Sequence, residues 1–195
     1  MMKVILASAS PRRKELLSQV CREFVCMPSK KEEKITKTLP QEVVCELSLQ
    51  KAEDIEEQVT KEADMLIIGS DTVVAYENKI MGKPKDEKDA YHMLSDLQDH
   101  THKVYTGVTL IIYKAGKRVL RTFYEAAEVT MYPMNEKQIR AYIATGEPMD
   151  KAGAYAIQGK CAVYIRKLEG EYNTVVGFPI ARIYQELLKE GIELC

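Results

Sequence analysis

Hydrophobic and polar positions change period along this chain in a way that predicts alternating strands and helices. Met2 to Ala7 is a short apolar run and reads as a buried strand. Ser10 follows as a helix N-cap with Pro11 at the first helical position, and Leu16, Leu17 and Val20 form an apolar stripe. Arg22 to Met27 fits a second strand, while Pro28 to Leu39 is charged, lacks periodicity and reads as a loop. Pro40 to Val59 has the pattern of a long helix, with Val44, Leu47 and Ile55 on one face. Met65 to Ile68 is another buried strand. After Gly69, Thr72 to Tyr76 continues as a strand into a hairpin at Glu77-Asn78-Lys79.

Asp86 caps a further helix that turns Ala90, Met93, Leu94 and Leu97 inward. Lys103 to Tyr113 and Arg118 to Met131 are strand-like and joined by the hairpin signal Lys114-Ala115-Gly116-Lys117. Asn135 and Gln138 make a capping box, and Gly146 stops that helix. Gly146 to Gly159 is Gly-rich and irregular, Cys161 to Leu168 returns to a strand, and Pro179 to Glu190 is a final helix ended by Gly191. Alternating elements with hairpins predict a mixed sheet flanked by helices. With no internal repeat, low-complexity tract or linker, the expectation is one α/β domain over residues 1–195, with room for two lobes around a cleft.

Charge narrows the partners. The 195 residues carry 28 Lys+Arg against 29 Asp+Glu, a formal net charge of −1. Nucleic acid is therefore not expected as a partner, and any bound anion must be held by locally placed charges. No uncharged stretch exceeds ten residues, against the roughly 20 needed to cross a bilayer, so no membrane partner is expected either. Ser-Ala-Ser-Pro-Arg-Arg falls within the first 13 residues, too early for a secretory signal. The five scattered cysteines include no Cys-x-x-Cys pair and read as idle thiols in a reducing cytoplasm.

Several local features carry chemistry. In Ser8-Ala9-Ser10-Pro11-Arg12-Arg13 a strand passes through two hydroxyls into a helix N-terminus. Two arginines in the first turn have the wrong sign for the helix dipole, unless an anion such as phosphate sits there. The alternative is a capped helix with two solvated arginines. Lys51 occupies a position on the apolar stripe Val44, Leu47, Ile55 where a hydrophobe is expected. It either snorkels past the core edge or aims its amine at an anion. Asp71, in Gly69-Ser70-Asp71-Thr72, follows a buried strand, where open α/β sheets place their ligands. It either bonds its own backbone in a turn or serves as a metal ligand or general base. In Gly82-Lys83-Pro84-Lys85, Pro84 forces Lys83 to be extended. In Glu147 to Gly159, small residues permit tight geometry and the Gln158 amide can read a base edge. His100 and His102 would share a strand face, a poor metal site with only two ligands. No Ser/His/Asp or Cys/His order suggests covalent hydrolysis.

Taken together and in this order, these segments resemble the Maf family of nucleoside triphosphate pyrophosphatases, from Leu6-Ala7-Ser8-Ala9-Ser10-Pro11-Arg12-Arg13 to Val175-Val176-Gly177-Phe178-Pro179. Asp150-Lys151-Ala152-Gly153-Ala154-Tyr155-Ala156-Ile157-Gln158-Gly159 is similar to the branch preferring dTTP and UTP. The resemblance implies a fold like that of the inosine triphosphate pyrophosphatases, with a cleft between two lobes, commonly as a homodimer. It also implies cleavage between the α and β phosphates with a divalent cation, Mg²⁺ or Mn²⁺, giving a nucleoside monophosphate and pyrophosphate. Asp71 matches the family's proton acceptor, and Arg12, Thr72 and Gln158 match its specificity positions. Ser8, Arg13, Glu33, Lys51 and Lys83 match residues used around phosphates and metal, with Lys151 beside the substrate and Glu33 and Asp71 toward the metal. Glu33 stands out only through the resemblance, because Glu32-Glu33-Lys34 by itself reads as a solvated loop. Departures from the family pattern are Ser70 for the usual Ala, Gln98-Asp99 for Ser-Gly, and Phe178 for Leu.

The expected substrates are dTTP and UTP, with modified pyrimidine nucleotides in the same class. The alternative is a nucleotide-binding regulator of cell division that uses the same cations without turnover. The acidic pair Glu33 and Asp71 argues against it, since two carboxylates repel phosphate unless a metal mediates.

Overall fold

Apolar runs too short for helices form the inner strands. The computed structural model describes residues 2–77 and 79–194. In it, β1 (Lys3–Leu6) and the Met65–Ile68 stretch that begins β3 (Met65–Tyr76) are almost wholly buried. They pair in parallel, Lys3 opposite Met65 and Leu6 opposite Ile68. β2 (Val25–Cys26) also lies parallel to β1. β4 (Lys79–Met81) folds back antiparallel on β3, with Tyr76 opposite Lys79. The expected turn residue Asn78 lies outside the described residues. β5 (Thr101–Lys114), β6 (Lys117–Met131) and β7 (Ile165–Glu169) complete a mixed sheet of order β2-β1-β3-β5-β6-β7 among the described residues, β7 antiparallel to β6. The hairpin between β5 and β6 turns at Ala115 and Gly116, both at positive φ, the signature of a two-residue primed turn.

Helices form where the caps predict them. Ser10 accepts from the Arg13 N–H to start α1 (Pro11–Ser18), and Asp86 does the same for α3 (Glu87–Leu97). Asn135 and Gln138 close a full capping box on α4 (Glu136–Ile143). α2 spans Pro40–Gln58, α5 Tyr172–Val176 and α6 Ile180–Lys189. No helix among the described residues is long and apolar enough to cross a membrane.

The chain divides into two compact units. The first comprises the chain up to Asp71, Thr106–Glu125 and the chain from Gly177 on; the second comprises Thr72–Tyr105 and Ala126–Val176. In the first unit, α2 packs Ala52 and Ile55 onto Ile5, Met65, Ile67 and Ile111 of the sheet. That approach depends on Gly69, where a Cβ would stand 2.2 Å from the Ser48 carbonyl oxygen. Asp71 lies two residues beyond Gly69 on the same face of β3, and Lys51 nearly one turn beyond Ser48 on α2. The contact that buries the helix thus brings these two together. The second unit has its own core, in which Val74, Val104 and Val129 of the sheet meet Leu94 and Leu97 of α3 and Ile139 and Tyr142 of α4.

Some expected boundaries shift. β3 runs unbroken through Gly69, because glycine fits an extended strand wherever a neighbouring backbone leaves no room for a side chain. The strand expected over Arg22 to Met27 shrinks to Val25–Cys26. The strand expected from Cys161 starts only at Ile165, after a 3₁₀ turn over Lys160–Tyr164. Between β7 and α6, where the hydrophobic pattern assigns no element, lies the short helix α5.

Candidate active site

In the first unit, Lys51 is the centre of an ion cluster. Its ammonium donates to Asp71 Oδ1 in a short contact and lies 3.0 Å from Glu33 Oε1. The Lys51 and Asp71 side chains are only 16% and 14% exposed, whereas Glu33 is 48% exposed. Lys51 therefore does not snorkel. Its apolar stem follows the stripe of α2 while its charge is taken up by two carboxylates, the outer one open to solvent.

Arg13 ties the neighbouring backbone together. Its Nε donates to the Gly177 carbonyl at 2.8 Å, and Nη1 donates to the Ser70 carbonyl at 2.8 Å and to Ser8 Oγ at 3.4 Å. Ser8 Oγ also accepts from the Ser10 N–H at 3.2 Å. Ser70, the departure beside Asp71, donates its hydroxyl to the same Gly177 carbonyl at 3.2 Å. Burial lowers the Arg13 pKa from its ordinary value; Asp71 and Glu33 oppose this and Arg12 adds to it. The guanidinium stays charged, since no protein environment readily deprotonates arginine. Arg12 is half-buried on the same helical turn. Ser8, Arg12, Arg13, Glu33, Lys51 and Asp71 thus all belong to the first unit, and Ser70 and Gly177 are the supporting groups that motif reading did not assign to the site.

Thr72, Lys83, Lys151 and Gln158 belong to the second unit. Thr72 is half-buried on β3, and Lys83 and Gln158 are exposed. The loop carrying Lys83 is held to the Lys151 segment by the Gly153 N–H, which donates to the Gly82 carbonyl at 3.0 Å. Gly153 sits at φ +66 with Val74 against its α-carbon, so only glycine fits there. Lys151, 12% exposed, contacts its neighbour Asp150 closely and donates to the Glu147 carbonyl at 3.4 Å. Glu147 anchors the turn after Gln158. Its carboxylate accepts the Lys160 N–H at 3.0 and 3.1 Å and the Tyr142 hydroxyl at 2.8 Å.

His102 is buried rather than metal-facing. It is 2% exposed, its Nε2 lies 2.8 Å from the Tyr155 hydroxyl, and its Nδ1 has no hydrogen-bond partner among the described residues. Burial pushes its pKa down to about 4 from 6.5. A lowered folded-state pKa means the unfolded chain takes up the proton first as pH falls. The stability is complete above pH 6.5 and is lost as pH drops toward 4. The shift of 6.5 − 4 corresponds to about 3 kcal/mol. In urea titrations between pH 6.5 and 4, His102→Gln should flatten the pH dependence by about that amount; an unchanged slope contradicts this role.

The donor set bears on metal binding. Among the described residues no group of three or more His, Cys, Asp or Glu side chains is gathered to hold an ion. Glu33 and Asp71 instead supply two carboxylates around one cationic point. That fits a hard divalent ion held by one or two carboxylates with substrate phosphates completing its shell. A closed four-ligand zinc site does not fit.

Residues 3–190 match the family model described as Maf-like protein. The chain is 54% identical to the dTTP/UTP pyrophosphatase of Agathobacter rectalis, covering 100% of both chains. It is 52% identical to that of Lachnoclostridium phytofermentans, over 100% of this chain and 98% of the relative. With the dTTP/UTP pyrophosphatase of Carboxydothermus hydrogenoformans the identity is 46%, over 97% and 100%. A solved dITP/XTP pyrophosphatase from Mycobacterium abscessus aligns at 14% identity with a TM-score of 0.42, covering 83% of this chain and 93% of that one.

Proposed function

The chain belongs to the Maf-like family, and from that premise we propose that it is a nucleoside triphosphate pyrophosphatase acting on dTTP and UTP. The bond cut is the one between the α and β phosphates, releasing a nucleoside monophosphate and pyrophosphate. The observation that carries this reading is the Glu33–Lys51–Asp71 cluster, two carboxylates on one largely buried ammonium beside Arg12 and Arg13.

Each side chain has a task within that scheme. A triphosphate carries roughly four negative charges, spread mostly over its outer oxygens, and catalysis of its cleavage rests on positioning and charge stabilisation. Lys51 and Arg12 supply cations for those oxygens. Arg13 fixes the Ser70 and Gly177 backbone through its bonds to their carbonyl oxygens, and the Ser8 hydroxyl through Nη1. When phosphate takes the Lys51 ammonium, Asp71 is released to accept the proton of a water attacking the α phosphorus. Glu33 and Asp71 would hold Mg²⁺ or Mn²⁺, which when bound neutralises phosphate charge and lowers the pKa of water. Thr72 and Gln158 take the specificity roles that the family resemblance gives them, and Lys83 and Lys151 the substrate contacts.

The test is pyrophosphate release by the purified protein from a panel of canonical and modified nucleotides, with Mg²⁺, Mn²⁺ or chelator. Release from dTTP and UTP ahead of purine nucleotides, abolished by chelator, is the expected result. No release from any nucleotide with either metal contradicts the reading and favours a regulator that binds without turnover.

A further inference from the structure

α2 presents a second stripe, polar rather than apolar, at Glu46, Gln50 and Asp54. The spacing of four places all three on one face of the helix. Each grips the irregular segment Ser29 to Thr36. Glu46 accepts the Thr36 N–H at 2.9 Å and the Thr36 hydroxyl at 2.5 Å. Asp54 accepts the Lys30 N–H at 3.1 Å. Burial acts to raise the Asp54 pKa, but bonds from Ser29, Lys30, Gln58 and Lys31 outweigh it and hold the group below its ordinary value. At the middle rung Gln50 makes two bonds to one residue. Its Oε1 accepts the Lys34 N–H at 3.0 Å and its Nε2 donates to the Lys34 carbonyl at 2.6 Å.

That middle rung differs from its neighbours. A side-chain amide that pairs with both the N–H and the C=O of one residue copies the exchange between two strands, and so specifies register as well as contact. Glu33 immediately precedes Lys34, and Lys51 immediately follows Gln50. The residue pair that makes the site contact is thus adjacent, on both segments, to the pair that makes the clamp. The segment has no regular secondary structure, and residues 30–39 are exposed. Its own apolar contacts therefore cannot set where the Glu33 carboxylate lies.

We propose that Gln50 is a positioning residue of the site, whose two hydrogen bonds to Lys34 hold Glu33 in register with Lys51. Its effect on turnover rests on the proposed function; its effect on the segment does not. Gln50 is partly exposed and contributes nothing to the apolar face of α2, so Gln50→Ala should fold and melt like the wild type.

The experiment is a mutant cycle of Gln50→Ala, Glu33→Ala and the double variant, with hydrogen exchange at the Lys34 amide read in parallel. Gln50→Ala should lower kcat by about 10-fold, the low end of what partners of a liganding group cost, and should remove protection at Lys34. In the Glu33→Ala background the same substitution should cost less than about twofold, because what it positions is gone. An equal loss in both backgrounds overturns the proposal, as does full Lys34 protection in Gln50→Ala. If the wild type releases no pyrophosphate, the proposed function fails, and exchange at Lys34 still decides the clamp by itself.

Discussion

Asp71→Asn is expected to lower pyrophosphate release from dTTP by at least about 100-fold, the low end of what a positioned general base contributes. The substitution keeps side-chain shape and leaves an amide oxygen that still accepts from Lys51. Lys51 also keeps Glu33 as an ionic partner, so thermal unfolding should stay close to wild type. What the amide lacks is the basicity to take a proton from water. The deficit should therefore lie in kcat, with KM for the nucleotide little changed. Near wild-type turnover in Asp71→Asn would remove Asp71 as the base and leave it a partner of Lys51 only.

Lys51→Met is expected to damage both turnover and stability, and that combination separates it from Asp71→Asn. Methionine has a similar length and helix propensity, so α2 keeps its packing against β3. The ammonium is lost, leaving Asp71 and Glu33 close together without the charge that joined them. Removing one member of a largely buried ion pair costs about 3 kcal/mol, the low end for such pairs. Loss of an aimed cation at the phosphates lowers kcat by about 100-fold or more. Lys51→Arg should restore only part of this, because a planar guanidinium does not replace a compact ammonium between two carboxylates. Unfolding in denaturant and steady-state kinetics on the three proteins check the prediction; a Lys51→Met protein with normal turnover contradicts it.

The legible parts of the fold are those governed by local chemistry. The caps at Ser10, Asp86 and Asn135 and the turn at Lys114 to Lys117 were each visible as short-range patterns, and each forms as expected. Where tertiary packing decides, local reading fails. Gly69 looks like a break between two strands, yet β3 passes through it because α2 leaves no room there for a side chain. The candidate site divides along the same line. Lys51 stands out because it puts a charge on the apolar stripe of a helix, and Asp71 because it follows directly on a buried strand run. Glu33 and Gln50 interrupt nothing. Glu33 lies in a charged loop and stands out only through the family resemblance, and Gln50 sits on the polar face of an amphipathic helix. Their roles depend on one segment being laid against another, which no periodicity encodes.

The roles proposed for Asp71 and Lys51 require that water attack the α phosphorus. Hydrolysis of dTTP in ¹⁸O-labelled water, with both products analysed by mass spectrometry, tests it most directly. The label should appear in dTMP and not in pyrophosphate. Label in pyrophosphate, or release of dTDP and orthophosphate in place of dTMP, would contradict it.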